Sequence, residues 1–280
     1  MKKDQNIVDV LIIGGGASGL LAAISAARIG ASVLVCEKMK TPGMKILASG
    51  GERCNITNTL DQPTYMERFG RQGRFMLPAL TLLSNIRIRE LFESFGIETM
   101  SRDGFRVFPT SHKSKTVLDG LLKETSRLGV TILTETPVKD LRKAGSNWLV
   151  ETESFTHIAR KVILSTGGLT YPWLGTDGKG YQIAESLGMK VADRHPAGVP
   201  LKTVEKWPGK CRADTIGKAR LTVNMKKHKK ITIVGDIIFA NYGIAGPAIL
   251  DISRQITPLI EKSGEVPITL NLRPKMTQQI

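Results

Sequence analysis

The stretch Val8–Glu37, VDVLIIGGGASGLLAAISAARIGASVLVCE, decides the fold. An apolar, β-branched run from Val10 to Ile13 meets Gly14, Gly16 and Gly19 at once. An apolar-periodic segment follows as far as Ile29, and a second short strand then ends at an acid, Glu37. Strand, glycine turn, helix and strand in that order make one βαβ unit. The spacing Gly14-x-Gly16-x-x-Gly19 gives a tight turn, a point where the backbone can approach a pyrophosphate, and close helix–strand packing. The helix that opens there points unpaired N–H groups and the positive end of its dipole at the phosphates, so that binding them needs no cation. Glu37 stands where an acid hydrogen-bonds the ribose hydroxyls of an adenosine, roughly 20 residues past the glycines, and it would repel a 2′-phosphate. The unit therefore reads as a dinucleotide site.

Around it, a chain of 280 residues holds one large α/β domain plus a smaller one. A hydrophobic content of 41% against 23% charged residues is that of an ordinary globular protein and excludes a disordered or fibrous one. Gly, Lys or Arg breaks each apolar run before the ~20 residues of a membrane span, so no membrane association is expected. The start, MKKDQNIVDVLIIGGG, is not a signal peptide, because an acid interrupts its basic region and its apolar segment is the first strand. A cytoplasmic location is the expectation. Cys36, Cys54 and Cys211 show no C-x-x-C spacing, and His112, His157, His195 and His228 are scattered, so no metal site is expected.

The net charge of +15 is the compositional anomaly and favours an anionic partner. Its densest tract, Lys226, Lys227, His228, Lys229 and Lys230, lies between the β-like runs Ala219–Asn224 and Ile231–Phe239 and reads as a solvated hairpin tip. No aromatic residue is interleaved there to stack a base, which disfavours nucleic acid and leaves a small-molecule substrate as the expected partner. The sequence carries no signal of oligomeric state.

After Glu37, the stretch KMKTPGMKILASGGERCNITN is too polar for a core element and too long for an ordinary connection, which marks a functional loop. Periodic apolar residues place helices near Phe75–Leu83 and Asn85–Phe95. A short strand through Val107, a turn at Pro109, a helix over Ser114–Leu128 and a strand over Val130–Leu133 follow. Ser114 is the expected N-cap and Gly129 the C′ residue. Val138–Leu141, Trp148–Glu151 and Thr156–Ile158 read as short antiparallel strands. A separate strand, Lys161–Ser165, ends in Thr166-Gly167-Gly168, which faces the same crevice as the first glycine turn because ligands bind at the carboxyl ends of such strands. Prolines at 196, 200 and 208 then introduce β-rich segments, and Gly246-Pro247 opens a last helix. The boundary falls near His195, with a Rossmann-like domain over 1–195 and a β-rich domain over 196–280.

Taken together these motifs resemble the BaiN-like flavoproteins, also called the aminoacetone-oxidase-type FAD-binding family. The matching residues are IIGGGASGLLAA, KILASGGERCNITN, FRVFP, LSTGGLTYPWLGTDGKGY, PAGVPL and FANYGIAGPAILDISR, in family order over nearly the whole chain. The resemblance implies an α/β two-dinucleotide-binding-domains flavoprotein with an inserted β-barrel-like second domain, acting as a FAD-dependent oxidoreductase. It implies NAD(P)H as the reductant. The implied cofactor-binding residues are Gly14, Gly16, Ala17, Ser18, Gly19, Glu37, Lys38, Lys45, Gly51, Arg53, Cys54, Asn55, Thr57, Val138, Thr166, Gly167 and Gly168. Tyr171, His195, Asn241 and Tyr242 are candidate proton donors or substrate contacts, and no catalytic residue is assigned.

The chain departs from the family pattern at Glu52, which replaces a glycine of SGGGR, and at Ile238-Phe239-Ala240-Asn241, which replaces LFTH. The family's return segment after the insert does not follow Ile280, so a truncated member is expected. Three competing readings are an incomplete, non-catalytic flavoprotein acting as a binding protein, an NAD-linked Rossmann dehydrogenase and, least favoured, a basic flavoprotein acting on RNA. The SGG-x-RCN loop and the TGG turn argue against the second.

Overall fold

A computed structural model describes residues 7–225, 228 and 230–274. The chain divides into two compact units, one running through Val191 and the other beginning at Ala192.

In the first unit, β1 (Val8–Ile13) leads through the glycine turn into α1 (Ala17–Arg28) and on to β2 (Val33–Cys36). The six-stranded sheet runs Thr131–Leu133, β2, β1, Thr156–Leu164, Asn147–Glu151, Asp140–Ala144. The first four strands are mutually parallel and the last two form an antiparallel hairpin at the edge. Alternation along the strands covers both faces: Ile12, Val33 and Val35 pack with Ala23 of α1, while Leu11, Ile13, Leu34 and Cys36 pack with Val138, Leu141 and Ile183. A Cβ on Gly19 would lie 1.9 Å from the Gly14 carbonyl oxygen, so only glycine lets α1 come down onto the turn.

Several boundaries differ from the sequence expectation. Thr156–Ile158 and Lys161–Ser165 are one nine-residue strand, Thr156–Leu164, pairing antiparallel with Asn147–Glu151 and parallel with β1. Arg160 and Lys161 break its apolar run, but both side chains are exposed and the backbone ladder continues through them. The hairpin starts at Asp140, so Val138 lies before it, buried in a loop. Ser114 is the first residue of the helix Ser114–Arg127 rather than its N-cap, and its Oγ donates to the Leu47 carbonyl at 2.9 Å. At the other end Gly129 is the C′ residue with φ +71°, and the Gly129 and Val130 N–H groups close onto the Ser126 and Thr125 carbonyls. The expected Phe75–Leu83 helix is a 3₁₀ turn, Gly70–Met76, running into a helix over Leu77–Leu82, and the next helix ends at Glu93. The polar stretch after Glu37 does enter the core. It holds a short helix, Met44–Ala48, whose Ile46 is buried, as is Cys54.

The second unit is a five-stranded antiparallel sheet in the order Leu201–Lys202, Gly243–Ala245, Ile231–Ala240, Thr215–Val223, Ile268–Asn271. The expected hairpin is its centre. At its tip, Lys226, Lys227 and Lys229 lie outside the described residues. Gly246-Pro247 opens the helix Pro247–Ser263, which lays Ile249, Ile252 and Ile256 against Leu221 and Ile237. Ser253, fully buried, accepts from the Gly198 and Val199 N–H groups and donates to the Leu250 carbonyl, which ties the entering chain to that helix. Among the described residues, no helix is long and apolar enough to cross a membrane.

One buried acid links α1 to the helix Ser114–Arg127. Glu124 accepts from Arg127 at 2.7 Å and from Arg28 at 2.9 Å, and these hydrogen bonds hold its pKa at about 2 against the opposing effect of burial. A carboxyl whose folded pKa is depressed contributes stability above its unfolded value near 4.5 and loses that contribution as pH falls toward 2. Glu124→Gln is expected to cost about 1 kcal/mol at pH 7. It should also flatten the loss of stability below pH 4.5, as measured by urea unfolding across pH.

Candidate functional site

A cavity of about 770 Å³ opens at the carboxyl ends of β1, β2 and Thr156–Leu164. Its floor is the first glycine turn. Gly14 has φ +103° and its N–H donates to the Cys36 carbonyl at 2.9 Å; a Cβ there would meet the Ser165 carbonyl at 2.6 Å. Ser165 Oγ fastens the turn from the neighbouring strand, donating to the Ile13 and Gly14 carbonyls. Gly16 is the N-cap of α1 and no side chain caps that end, so the first-turn N–H groups are free of a side-chain acceptor where Gly16, Ala17 and Ser18 line the cavity.

Glu37 is buried and lines the same space. Its Oε2 accepts from the Gly15 N–H at 2.7 Å and its Oε1 from the Met39 N–H at 2.8 Å. Whatever else it binds, this carboxylate pins the glycine turn to the exit of β2. Beside it the Cys36 thiol is pushed up to about 11 by burial and presents an uncharged wall.

Two lysines reach toward the rim. Lys38 Nζ lies 2.8 Å from an Asp177 oxygen, and this partner holds the Asp177 carboxyl below the usual range. Lys45 Nζ donates to Thr170 Oγ1 at 3.0 Å, and burial lowers its pKa. Both contacts draw the segment 170–177 toward the chain that follows β2.

Of the residues singled out in the sequence, the structure gathers Gly14, Gly16, Ala17, Ser18, Glu37, Lys38, Lys45, Val138, Thr166 and Gly167 on the cavity wall. Gly19 is committed to helix packing and Gly168 lies next to the Tyr181 ring hydroxyl. Gly51, Arg53, Cys54, Asn55 and Thr57 stand away from the wall. Their donors serve their own loop. Arg53 bonds the Gly50 carbonyl and stacks over Phe108 at 5.0 Å. The Asn55 amide, in the orientation that satisfies both ends, donates to the Thr57 and Val107 carbonyls. Thr57 pairs with Val107 across a two-residue strand, and Cys54 is buried with its thiol pKa raised. Tyr171 is exposed in the first unit, whereas His195, paired with Glu261 at 2.7 Å, Asn241 and Tyr242 belong to the second.

The wall also holds residues that the sequence did not single out, among them Thr41, Gly43, Pro137, Lys139 and Leu174. Leu174 to Asp177 belong to LSTGGLTYPWLGTDGKGY, one of the stretches that carry the family resemblance, and its glycine-rich polarity was the available signal. Thr136, Pro137 and Lys139 carry none.

A parallel sheet whose carboxyl edge combines a glycine turn, an uncapped helix N-terminus and a buried acid is a Rossmann-type FAD-binding fold. Residues 8–212 match the HI0933-like protein Rossmann domain and residues 195–280 the HI0933-like protein barrel and H2TH domain. The chain belongs to the HI0933-like family. It is 34% identical over 268 residues to the 3-dehydro-bile acid delta(4,6)-reductase of Clostridium scindens, a match spanning 95% of this chain and 64% of that protein. It is 28% identical over 267 residues to the ribosomal RNA dihydrouridine synthase of Escherichia coli, again over 95% of this chain and 64% of the relative. The chain thus spans about two thirds of the length of these curated relatives. An open-conformation flavocytochrome c3 fumarate reductase shares the fold, with a TM-score of 0.52 and 17% identity over 76% of this chain and 47% of that one.

Glu37→Gln places an amide donor against one of two backbone N–H groups and leaves that N–H without an acceptor. An unsatisfied buried donor costs about 1–3 kcal/mol, so the ligand-free variant should unfold at correspondingly lower urea. An unchanged midpoint would show that the carboxylate is not what holds the turn.

Proposed function

We propose that this chain binds FAD in the cavity at the carboxyl edge of its parallel sheet and belongs to an oxidoreductase. We further propose that it reduces an unsaturated or carbonyl-bearing organic substrate with NAD(P)H as the reductant. The observation that carries the reading is the convergence, on one cavity, of the glycine turn, the uncapped N-terminus of α1 and Glu37. The residues fit the group. A Cβ on Gly16 would meet nothing within 4 Å, which leaves the backbone open to a pyrophosphate. The volume suits a large, partly apolar ligand.

Gly14, Gly16, Ala17 and Ser18 would hold the phosphates through backbone N–H groups, and Glu37 would take the ribose. Lys45 and the turn Thr166-Gly167 would line the rest of the cofactor, with Val138 against its apolar surface. The loop from Gly51 to Thr57 would support this arrangement from behind rather than touch it. When bound, FAD supplies two-electron hydride transfer. The protein's part is to position, to exclude water and to present cationic and N–H groups. The names of the relatives support a reductase: one is called a delta(4,6)-reductase, and the product named in another, dihydrouridine, is uridine with two hydrogens added. In either case a hydride and a proton would be added across a carbon–carbon double bond, with NAD(P)H oxidised to NAD(P)⁺.

The test is the visible spectrum of the 280-residue chain after incubation with FAD and desalting. A retained flavin spectrum is expected, and its bleaching by NADH or NADPH identifies the reductant. Gly16→Val, which fills the open approach, should weaken FAD binding at least ~10-fold while shifting unfolding by no more than about 1 kcal/mol. A colourless chain that takes up no FAD, or a valine variant that binds it normally, would sink the assignment.

A further inference from the structure

We propose that the helical segment Gln62–Glu93 of the first unit docks on an anionic lipid surface. Phe75, Leu82 and Ile86 enter the headgroup layer, and Arg74 and Arg87 meet its phosphates. Such docking goes beyond the flavin reading and does not rest on it.

This segment carries more apolar side chains than it buries. Asp61 caps the helix Gln62–Arg68 by accepting from the Thr64 N–H at 3.0 Å, and the 3₁₀ turn Gly70–Met76 and the helices Leu77–Leu82 and Asn85–Glu93 follow. The pieces pack on one another. A Cβ on Gly73 would stand 2.1 Å from the Met66 carbonyl oxygen, and Gln62 Nε2 donates to Thr81 Oγ1 at 3.0 Å. Phe92 anchors the last helix in the core, but Gln62–Arg68 and Leu77–Leu82 bury no residue at all. Phe75 is 86%, Leu82 74% and Ile86 64% exposed, and Phe69, Leu77 and Leu83 are exposed beside them. The helix Leu77–Leu82 is only about 9 Å long, so Phe75 before it and Ile86 after it stay within one small region.

The charge around these side chains selects the partner. Between Glu67 and Glu90 the sequence holds Arg68, Arg71, Arg74, Arg87 and Arg89 and no acid. Arg89 is committed inward, its Nε donating to Thr99 Oγ1 at 2.9 Å. The Arg87 guanidinium donates to the Leu82 carbonyl at 3.1 Å, which sets an exposed cation beside exposed Leu82. Arg74 is exposed next to Phe75 and, among the described residues, has no ion-pair partner. The acids of the segment, Asp61, Glu67, Glu90 and Glu93, stand toward its two ends. Projecting apolar side chains flanked by arginines match a layer whose phosphates accept from guanidinium and whose acyl boundary takes apolar groups without preformed pockets. A second copy of this chain would set arginine against arginine, which disfavours pairing through this face. The net charge of +15 adds attraction to any anionic surface. Apolar runs too short to span a bilayer suit a face that lies in its surface and does not cross it.

The experiment sediments the full chain with vesicles of phosphatidylglycerol and phosphatidylcholine in equal parts, beside vesicles of phosphatidylcholine alone. Binding to the anionic vesicles is expected to be at least ~10-fold tighter. Phe75→Ala and Leu82→Ala should each weaken it ~10-fold, and Arg74→Gln ~5-fold. All three side chains are exposed, so the variants keep the parent's circular dichroism. Phe75→Trp should bind like the parent and gain a blue-shifted emission on the anionic vesicles, which reads insertion directly even where an alanine variant unfolds. Four results would each overturn the proposal. They are anionic binding that Phe75→Ala and Leu82→Ala leave unchanged, binding lost only with Lys226→Ala/Lys227→Ala/Lys229→Ala/Lys230→Ala, no blue shift from Phe75→Trp, and a parent chain that binds neither vesicle. In the last case, dimers that Phe75→Ala dissociates would assign the face to a second copy of the chain. FAD spectra of the same samples keep this result separate from the flavin assignment.

Discussion

The contact on which the rest of the first unit depends is the descent of α1 onto the turn that precedes it. With 1.9 Å between a would-be Cβ on Gly19 and the Gly14 carbonyl oxygen, no other residue permits it. A side chain there would lift the helix and withdraw Leu20, Ala23 and Ile24 from the core. The same descent aims the N-terminus of α1 at the carboxyl edge of the sheet, where its open N–H groups meet the cavity. Packing and anion binding are therefore one geometry, and selection for the first supplies the second.

That geometry was legible in the sequence because it is local. A β-branched run, three glycines at fixed spacing and an acid at the end of the next strand lie within one stretch of chain, and each residue type has a single structural use there. The C′ role of Gly129, the hairpin around the basic tract and the helix opened by Gly246-Pro247 were legible for the same reason. The single strand Thr156–Leu164 was not, since Arg160 and Lys161 look like a break until the sheet shows their side chains leaving the ladder toward solvent. Nor were Thr136, Pro137 and Lys139 legible as cavity wall, although Val138 among them was singled out. They reach it because the strand Thr131–Leu133 lies beside β2, a neighbour relation that no local pattern encodes.

The donors of the SGG-x-RCN loop make a related point. Their number suits a ligand rich in acceptors, yet a buried or constrained backbone needs the same groups. Arg53 and Asn55 give theirs to Gly50, Thr57 and Val107. Counting donors in a sequence cannot separate these uses, because both rest on the rule that buried polar groups must be paired. Glu37 shows the two uses in one residue. It lies on the cavity wall where a sugar would be held, and it already accepts from two backbone N–H groups that fix the wall itself.

Charge follows the opposite logic to the glycine turn. A contiguous run such as Lys226–Lys230 is conspicuous in a sequence, but adjacent like charges repel and are most easily accommodated on a solvated tip. Recognition of an extended anion needs cations spaced along it, with an apolar surface between them. Such an arrangement is made by convergence of separate segments rather than by a run. In the second unit the edge strand Leu201–Lys202, the short helix Trp207–Lys210 and the turn after Ile231–Ala240 converge in this way, with the Trp207 ring edge-on to buried Phe239. The packing that buries Phe239 thereby fixes which side chains this small sheet presents together on its surface.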